Sequence, residues 1–569
     1  MLQPRISRLL VLSLGLACGG DPPAEGSAGT EPATGETGAS TGGPDVPTGG
    51  TTGAQACEDG EVVCAAGSAA VCEGGVLGAP EACSAACVAG LGCVSCEPGS
   101  TVCDGDEVKL CGDDGEPGEV TATCDPVQGL TCDAGACAGA CAPDPMRGGE
   151  AGCEFWAAPL PSEVVAEGGF GVALTNTCAS EAKVQVDAAG NPLLMTTLAA
   201  GESKFLEMPR LPPLYAANAS VVTGNGSYRV RTDCPALAVQ FSGGAGLASV
   251  DAARLYPTDV WGTDVWVVTQ PSAMFEDADL PVQGYVAVIA REDGTTVTLD
   301  VPDGIMVGAV ETIPAAGDGE ITLDRGETLL LISELPHDLA GAHVTADRPI
   351  GVFGGHECSM VPLGTGFCDH LEEVMPATPT LGTNYVVPAP VASDGSGTAV
   401  PHVVRVIGTV DGTQVTTSDA MLAGQVDAGG VLEFGPTSDS LEISSDQPVL
   451  VGQFLVGVEA DPLAADPSLL VPPPTDQFRE EHGVWTAEDW SLTVVQVVAP
   501  MGASASLDGV DVTGWAPIAG TNWVTAAALV DTAGAHTLTA DMPVGVHVIA
   551  AHSEAPVATY GYTGAWARP

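Results

Sequence analysis

The chain has 569 residues, with 16 basic and 73 acidic side chains and a formal net charge of −57. Such a chain repels phosphate backbones and anionic lipid headgroups, which excludes nucleic acid and a basic membrane patch as partners. Hydrophobic residues at 45% suffice for real cores, while 74 Gly, 44 Pro and only 4% aromatics point to short strands and many turns. The length corresponds to roughly three to five domains. The acidity reads as a solvated, non-adhering surface, the alternative being affinity for calcium or a cationic partner.

The N-terminus reads as an export address. Arg5 and Arg8 precede an apolar core at 9–17 that is too short to cross a bilayer as a mature helix. Cys18 follows the small Ala17, as at the processing site of bacterial lipoproteins, although Gly15 stands where Leu is usual. The expectation is a lipoprotein signal at 1–18, lipidation of Cys18, and an outer-membrane or cell-surface location with membrane contact through the lipid only. Ordinary signal cleavage nearby, or Cys18 as a structural thiol, are the alternatives. Residues 19–56 are Gly, Thr, Pro, Ala, Ser and Glu with almost no large apolar side chain, a composition expected to form a disordered stalk.

Of the 19 cysteines, 13 lie between Cys57 and Cys141. Cys57, Cys64 and Cys72 are spaced like Cys96, Cys103 and Cys111, so residues 57–141 repeat with a period of about 40. Each copy has too few large apolar residues for a core, so disulfides must supply the stability. Zinc is the competing reading, carried by the single close pair Cys93 and Cys96. If Cys18 is lipidated, 18 cysteines remain (19 − 1), and the odd 13 require one bond out of the segment. Cys153 is then the nearest partner for Cys141, leaving Cys178 with Cys234 and Cys358 with Cys368.

From 142 onward, strand signals dominate. YVAVIA at 285–290, TVTLDV at 296–301 and TLLLIS at 328–333 are bounded by turn residues, and helical periodicity is scarce. An Asp-x-Pro string recurs between two apolar strands, at Asp233 and Pro235, Asp347 and Pro349, Asp446 and Pro448, and Asp541 and Pro543. Asp accepting from its own following backbone, with Pro fixing φ, describes a corner. Spacings of 114, 99 and 95 residues (347 − 233, 446 − 347, 541 − 446) match one β-sandwich each. The expected fold is all-β: tandem antiparallel β-sandwich-like units at 142–255, 256–375, 376–470 and 471–569, preceded by the disulfide-rich repeats and the stalk. A single propeller-like assembly is the alternative.

Four strings carry a family resemblance: CEFWAAPLP at 153–161, GTDVWVV at 262–268, GVFGGHECSMVPLGTGFCDHLEEVMPATPTLGTNYVV at 351–387, and DPSLLVPPPTDQFRE at 466–480. The region 153–565 resembles the N-terminal domain family of the IgG Fc-binding protein, which also occurs in bacterial surface lipoproteins. The resemblance implies an extracellular binding role associated with mucus or matrix, and it carries over no catalytic residue.

His356, Cys358, Cys368 and His370 would suit tetrahedral zinc, but a Cys358–Cys368 disulfide closing the loop is the plainer reading in an exported protein. No second His follows His356 at metalloprotease spacing, and an oxidised cysteine has no thiolate to act as nucleophile. No serine-hydrolase elbow, phosphate loop or dinucleotide fingerprint occurs, so no cofactor is implied. Trp485, Trp490, Trp515 and Trp523 gather in the last unit, as core filling or as a glycan platform. The function expected is non-enzymatic binding or adhesion to an extracellular glycoprotein, polysaccharide or surface partner. Met360, Leu363 and Phe367 are candidate anchors on a loop stiffened by the disulfide, the alternative being that they pack back on their own β unit. A structural spacer and a hydrolase with an unrecognised site are the rivals.

Overall fold

The computed structural model describes residues 57–142, 150–162, 169–215, 218–224, 226–243, 249–275, 279–552, 557–564 and 566. Cys18 and the stretch 19–56 lie outside the described residues. One small compact unit contains residues 57–61 and 72–78 and is closed by Cys57–Cys72. A second takes in residues 62–71 and everything described from Ala79 onward.

The cysteine-rich segment uses one connectivity twice. Cys57–Cys72 and Cys96–Cys111 each span 15 residues, Cys64–Cys87 corresponds to Cys103–Cys132, and Cys83–Cys93 to Cys124–Cys137. Its strands are short, and few of its buried side chains are large, so covalent closure takes the place of a core. Cys141–Cys153 ties the segment to the first strand of the sheet that follows.

The rest of the described chain is all-β apart from a four-residue helical turn at Pro212–Tyr215 and short 3-10 turns. Four sheets follow one plan. Each is organised by a long strand: Tyr228–Ser242, His343–Ser359, Leu441–Leu455 or Gly534–His552. The first half of each pairs with one set of neighbours and the second half with another. In the first sheet, 228–232 lies beside Gly152–Ala157 and Ala182–Ala188, and 236–242 beside Phe170–Asn176 and Asp251–Leu255. The long strand therefore belongs to both layers of a sandwich, turning the corner by a bulge.

The Asp-x-Pro string is that bulge. Opposite it, pairing jumps from Glu154↔Arg231 to Gly152↔Ala236, from Asp264↔Thr345 to Gly262↔Ile350, from Asn384↔Ser444 to Gly382↔Val449, and from Glu481↔Thr539 to Arg479↔Val544. The long strand advances five residues each time (236 − 231, 350 − 345, 449 − 444, 544 − 539) while its partner advances two. The sequence reading has each Asp turning onto its own following backbone. Instead the carboxylates accept from the neighbouring strand: from Lys183 N at 2.6 Å to Asp233, and at 2.8 Å from Thr296 N to Asp347, Gln414 N to Asp446 and Ser504 N to Asp541. Each donor is the next rung of the ladder, where the bulge has carried the main-chain carbonyl away. The carboxylate supplies the missing acceptor. At Asp541, the Ser504 N–H and hydroxyl hold the carboxyl below its usual range.

Each long strand is followed by a closing strand: Asp251–Leu255, Asp369–Val374, Leu469–Leu470 or Ala558–Thr563. The first packs against the second and fourth, and the third packs against the same two, so the four form a ring. Tight turns feed each unit into the next. Gly262 is required at one of them, because a Cβ there would meet the Ala377 Cβ at 2.5 Å. The cores are shared as well. One apolar cluster runs from Phe155 through Tyr285 and Phe454 to Trp566, and a second joins Phe241 and Ala252 of the first sheet to Val484 and Tyr562 of the fourth. The sandwiches are thus interlocked rather than strung as independent beads. Residues 221–223, which the sequence reading places in the first unit, form an edge strand of the second sheet on Thr328–Ile332.

Candidate functional site

The second long strand and its closing strand are joined by residues 360–368, and the Cys358–Cys368 bond spans their base with Cα atoms 4.9 Å apart. Inside the loop, the Thr365 N–H and hydroxyl both donate to the Pro362 carbonyl. From outside, Gly457 N donates to Val361 O at 3.0 Å, and Glu459 Oε2 accepts from Gly366 N at 2.5 Å. A turn of the third unit therefore grips both ends of a loop of the second. The hairpin Ala273–Phe275 and Leu280–Val282 lies beneath, and together these pieces line a cleft of about 560 Å³.

Leu363 is 56% exposed and Phe367 60% exposed, with Met274 also exposed beside them. Phe367 adopts φ 58°, a left-handed conformation that a bulky side chain takes only when its surroundings enforce it. Met360 differs from the expectation of a third exposed anchor. It is 5% exposed and packs with Val282 and the two sulfurs, because the 273–282 hairpin closes over it. It secures the base of the loop, and of the three candidate anchors only Leu363 and Phe367 present apolar surface.

The zinc alternative meets a chemical obstacle. The Cys358 and Cys368 sulfurs are bonded to each other and offer no thiolate. The imidazole of His356 accepts from Cys358 N at Nδ1 and hydrogen-bonds Pro271 O through Nε2, so both ring nitrogens are occupied. Burial pushes its pKa down to about 4. His370 Nε2 lies 3.2 Å from Glu372 Oε2. Elsewhere Cys141 is bonded to Cys153 and Cys178 to Cys234, so both bonds are structural staples remote from the loop.

A second concentration of ionisable groups, missed by the sequence reading, sits where the closing strands meet. Asp251 is fully buried, and its two oxygens accept from Ala252 N, Ser468 Oγ, Gly561 N, Glu372 N and Leu469 N. One carboxyl thereby contacts all three other closing-strand regions. Glu372 Oε2 accepts from Gln240 Nε2 and Ser242 Oγ. Asp369 accepts from Val250 N and His370 N. Burial raises the pKa of Asp251, Asp369, Glu373 and Asp466 well above the carboxylate range, and the neighbouring Asp466 adds to the rise at Asp369. The one visible signal was DHLEEV at 369–374, a strand with four ionisable residues.

Residues 251–550 match the family model described as IgGFc binding protein. That span opens at Asp251 and includes the disulfide loop. The human (Homo sapiens) IgGFc-binding protein is 26% identical over 261 residues, which is 45% of this chain and 4% of that protein. A solved anti-sigma factor domain-containing protein from Clostridium clariflavum aligns with 68% of this chain and 95% of its own at 8% identity, and its TM-score of 0.10 carries no structural argument.

Proposed function

This chain belongs to the IgGFc binding protein family, and on that premise we propose that it is an exported binding protein whose contact surface is the 358–368 loop. The observation that carries this is the exposure of Leu363 and Phe367 on a loop held at both ends by a disulfide and by the 457–459 turn. Apolar anchors on a stiff support lose little entropy on binding. The partner is an extracellular glycoprotein, polysaccharide or surface component. Binding is favoured over catalysis because the loop offers apolar contact area and no thiolate.

The test uses the purified chain on glycoprotein and glycan arrays, followed by affinity measurement on whichever partner it captures. Leu363→Asp with Phe367→Ser is expected to weaken binding at least about tenfold while leaving the unfolding midpoint nearly unchanged, since exposed substitutions cost within about 0.5 kcal/mol. A large fall in the midpoint would assign the loop to the core. Undiminished binding would move the contact surface elsewhere.

Lipid anchoring through Cys18 completes the proposal, resting on Arg5, Arg8 and the apolar core before Ala17. Metabolic labelling with a palmitate analogue is expected to mark the protein, and Cys18→Ala to abolish the label. Labelling that survives the substitution refutes the anchor.

A further inference from the structure

Where the ring closes first sheet on fourth, a cleft of about 460 Å³ is lined by Phe205 and Phe241 from one side and by Trp485, Glu488 and Trp490 from the other. The aromatic rings support one another. Phe205 stacks on Trp485 with centroids 6.3 Å apart, Phe241 meets Trp485 edge-on at 5.1 Å, and Trp490 stacks on His552 at 4.8 Å and meets Tyr560 edge-on. Phe205 remains 37% exposed and Trp490 partly exposed, so aromatic surface is left for an occupant. Asp489, between Glu488 and Trp490, is held at φ 67°, and the exposed Glu488 lines the same cleft as Trp490.

We propose that this cleft binds an alkylated ammonium group, a choline-type organic cation. Three observations select that chemistry. Phe205 and Trp490 leave aromatic surface at the cleft, and an aromatic ring attracts a cation with an apolar envelope. Among the described residues, Glu488 is the only charged one in the lining, and it makes no ion pair there. The whole chain, at −57, draws cations toward it. A hard metal ion is disfavoured, because calcium takes about six to eight oxygens and the lining holds one carboxylate. A sugar is disfavoured too. Among the described residues the lining holds one hydroxyl, Ser203 Oγ, which accepts from Ala535 N at 3.1 Å, and one carboxylate, so a ring of sugar hydroxyls would find few side-chain partners.

The test titrates the full purified chain with choline and with its neutral isostere 3,3-dimethylbutan-1-ol, read by tryptophan fluorescence and calorimetry. Choline is expected to bind at least about threefold more tightly than the isostere, the scale of a partly exposed cation–π contact. Trp490→Ala is expected to lower choline affinity at least about threefold. Because that change also removes packing, Glu488→Gln at an exposed position serves as the second variant, with a loss of similar size. Equal binding of the isostere, absence of saturable choline binding, or an unaltered affinity in Glu488→Gln each overturns the assignment. Leu363→Asp with Phe367→Ser is expected to leave choline affinity unchanged, so this site and the loop fail or succeed separately.

Discussion

Asp251→Ala is expected to destabilise the chain by about 3–5 kcal/mol, the scale of breaking a buried polar network. The carboxyl is the single acceptor shared by Ser468 Oγ and by the N–H groups of Glu372, Leu469 and Gly561. Alanine would leave these donors in a fully buried centre, each unsatisfied group costing about 1–3 kcal/mol before relaxation. Because the donors come from three different closing-strand regions, the loss falls on ring closure and not on one sheet. Asp251→Asn keeps one acceptor oxygen and is expected to cost less than Ala. Urea unfolding followed by tryptophan fluorescence measures both. An Ala variant within about 1 kcal/mol of the parent would mean that Asp251 does not hold the ring.

Glu373→Gln is expected to gain on the parent chain as pH rises from 5 to 8. Burial is the main cause of the raised Glu373 pKa, with Asp251 and Glu372 nearby adding to it and the Val374 N–H and Arg254 opposing it. Its Oε1 has no hydrogen-bond partner among the described residues. The folded chain holds a proton that the unfolded chain releases above about pH 4.3. Unfolding then releases protons, so stability falls as pH rises, until the folded value is passed. Gln mimics the protonated form and removes that slope, at up to about 1.4 kcal/mol per pH unit.

The buried histidines act in the opposite sense. Burial holds His356 and His402 down to about 4 and His547 down to about 3. Below about pH 6.5 the unfolded chain binds protons that the folded chain refuses, and stability falls as pH falls. The parent chain is therefore expected to be most stable in mild acid, between the two effects. The variant-minus-parent difference isolates Glu373, and stability curves that run parallel from pH 5 to 8 would contradict the protonated state.

The all-β class was legible because it is written locally, in apolar runs such as TLLLIS at 328–333 bounded by turn residues. The Asp-x-Pro repeat was legible for the same reason. Its hydrogen bonds were not, because each aspartate's donor lies 32 to 51 residues away on another strand. Met360 and Leu363 are three residues apart in one apolar loop, yet one is buried and the other exposed, a difference made by the 273–282 hairpin. The loop's support from Glu459 comes from 93 residues downstream. At the ring centre the separation is greater still, with Asp251 joined to partners 121, 217 and 310 residues away. Short-range sterics and hydrogen bonding determine strands and turns, and these act between residues adjacent in the chain. Whether a carboxyl is solvated, shared or buried without charge depends on which distant strands surround it, and only tertiary packing decided that.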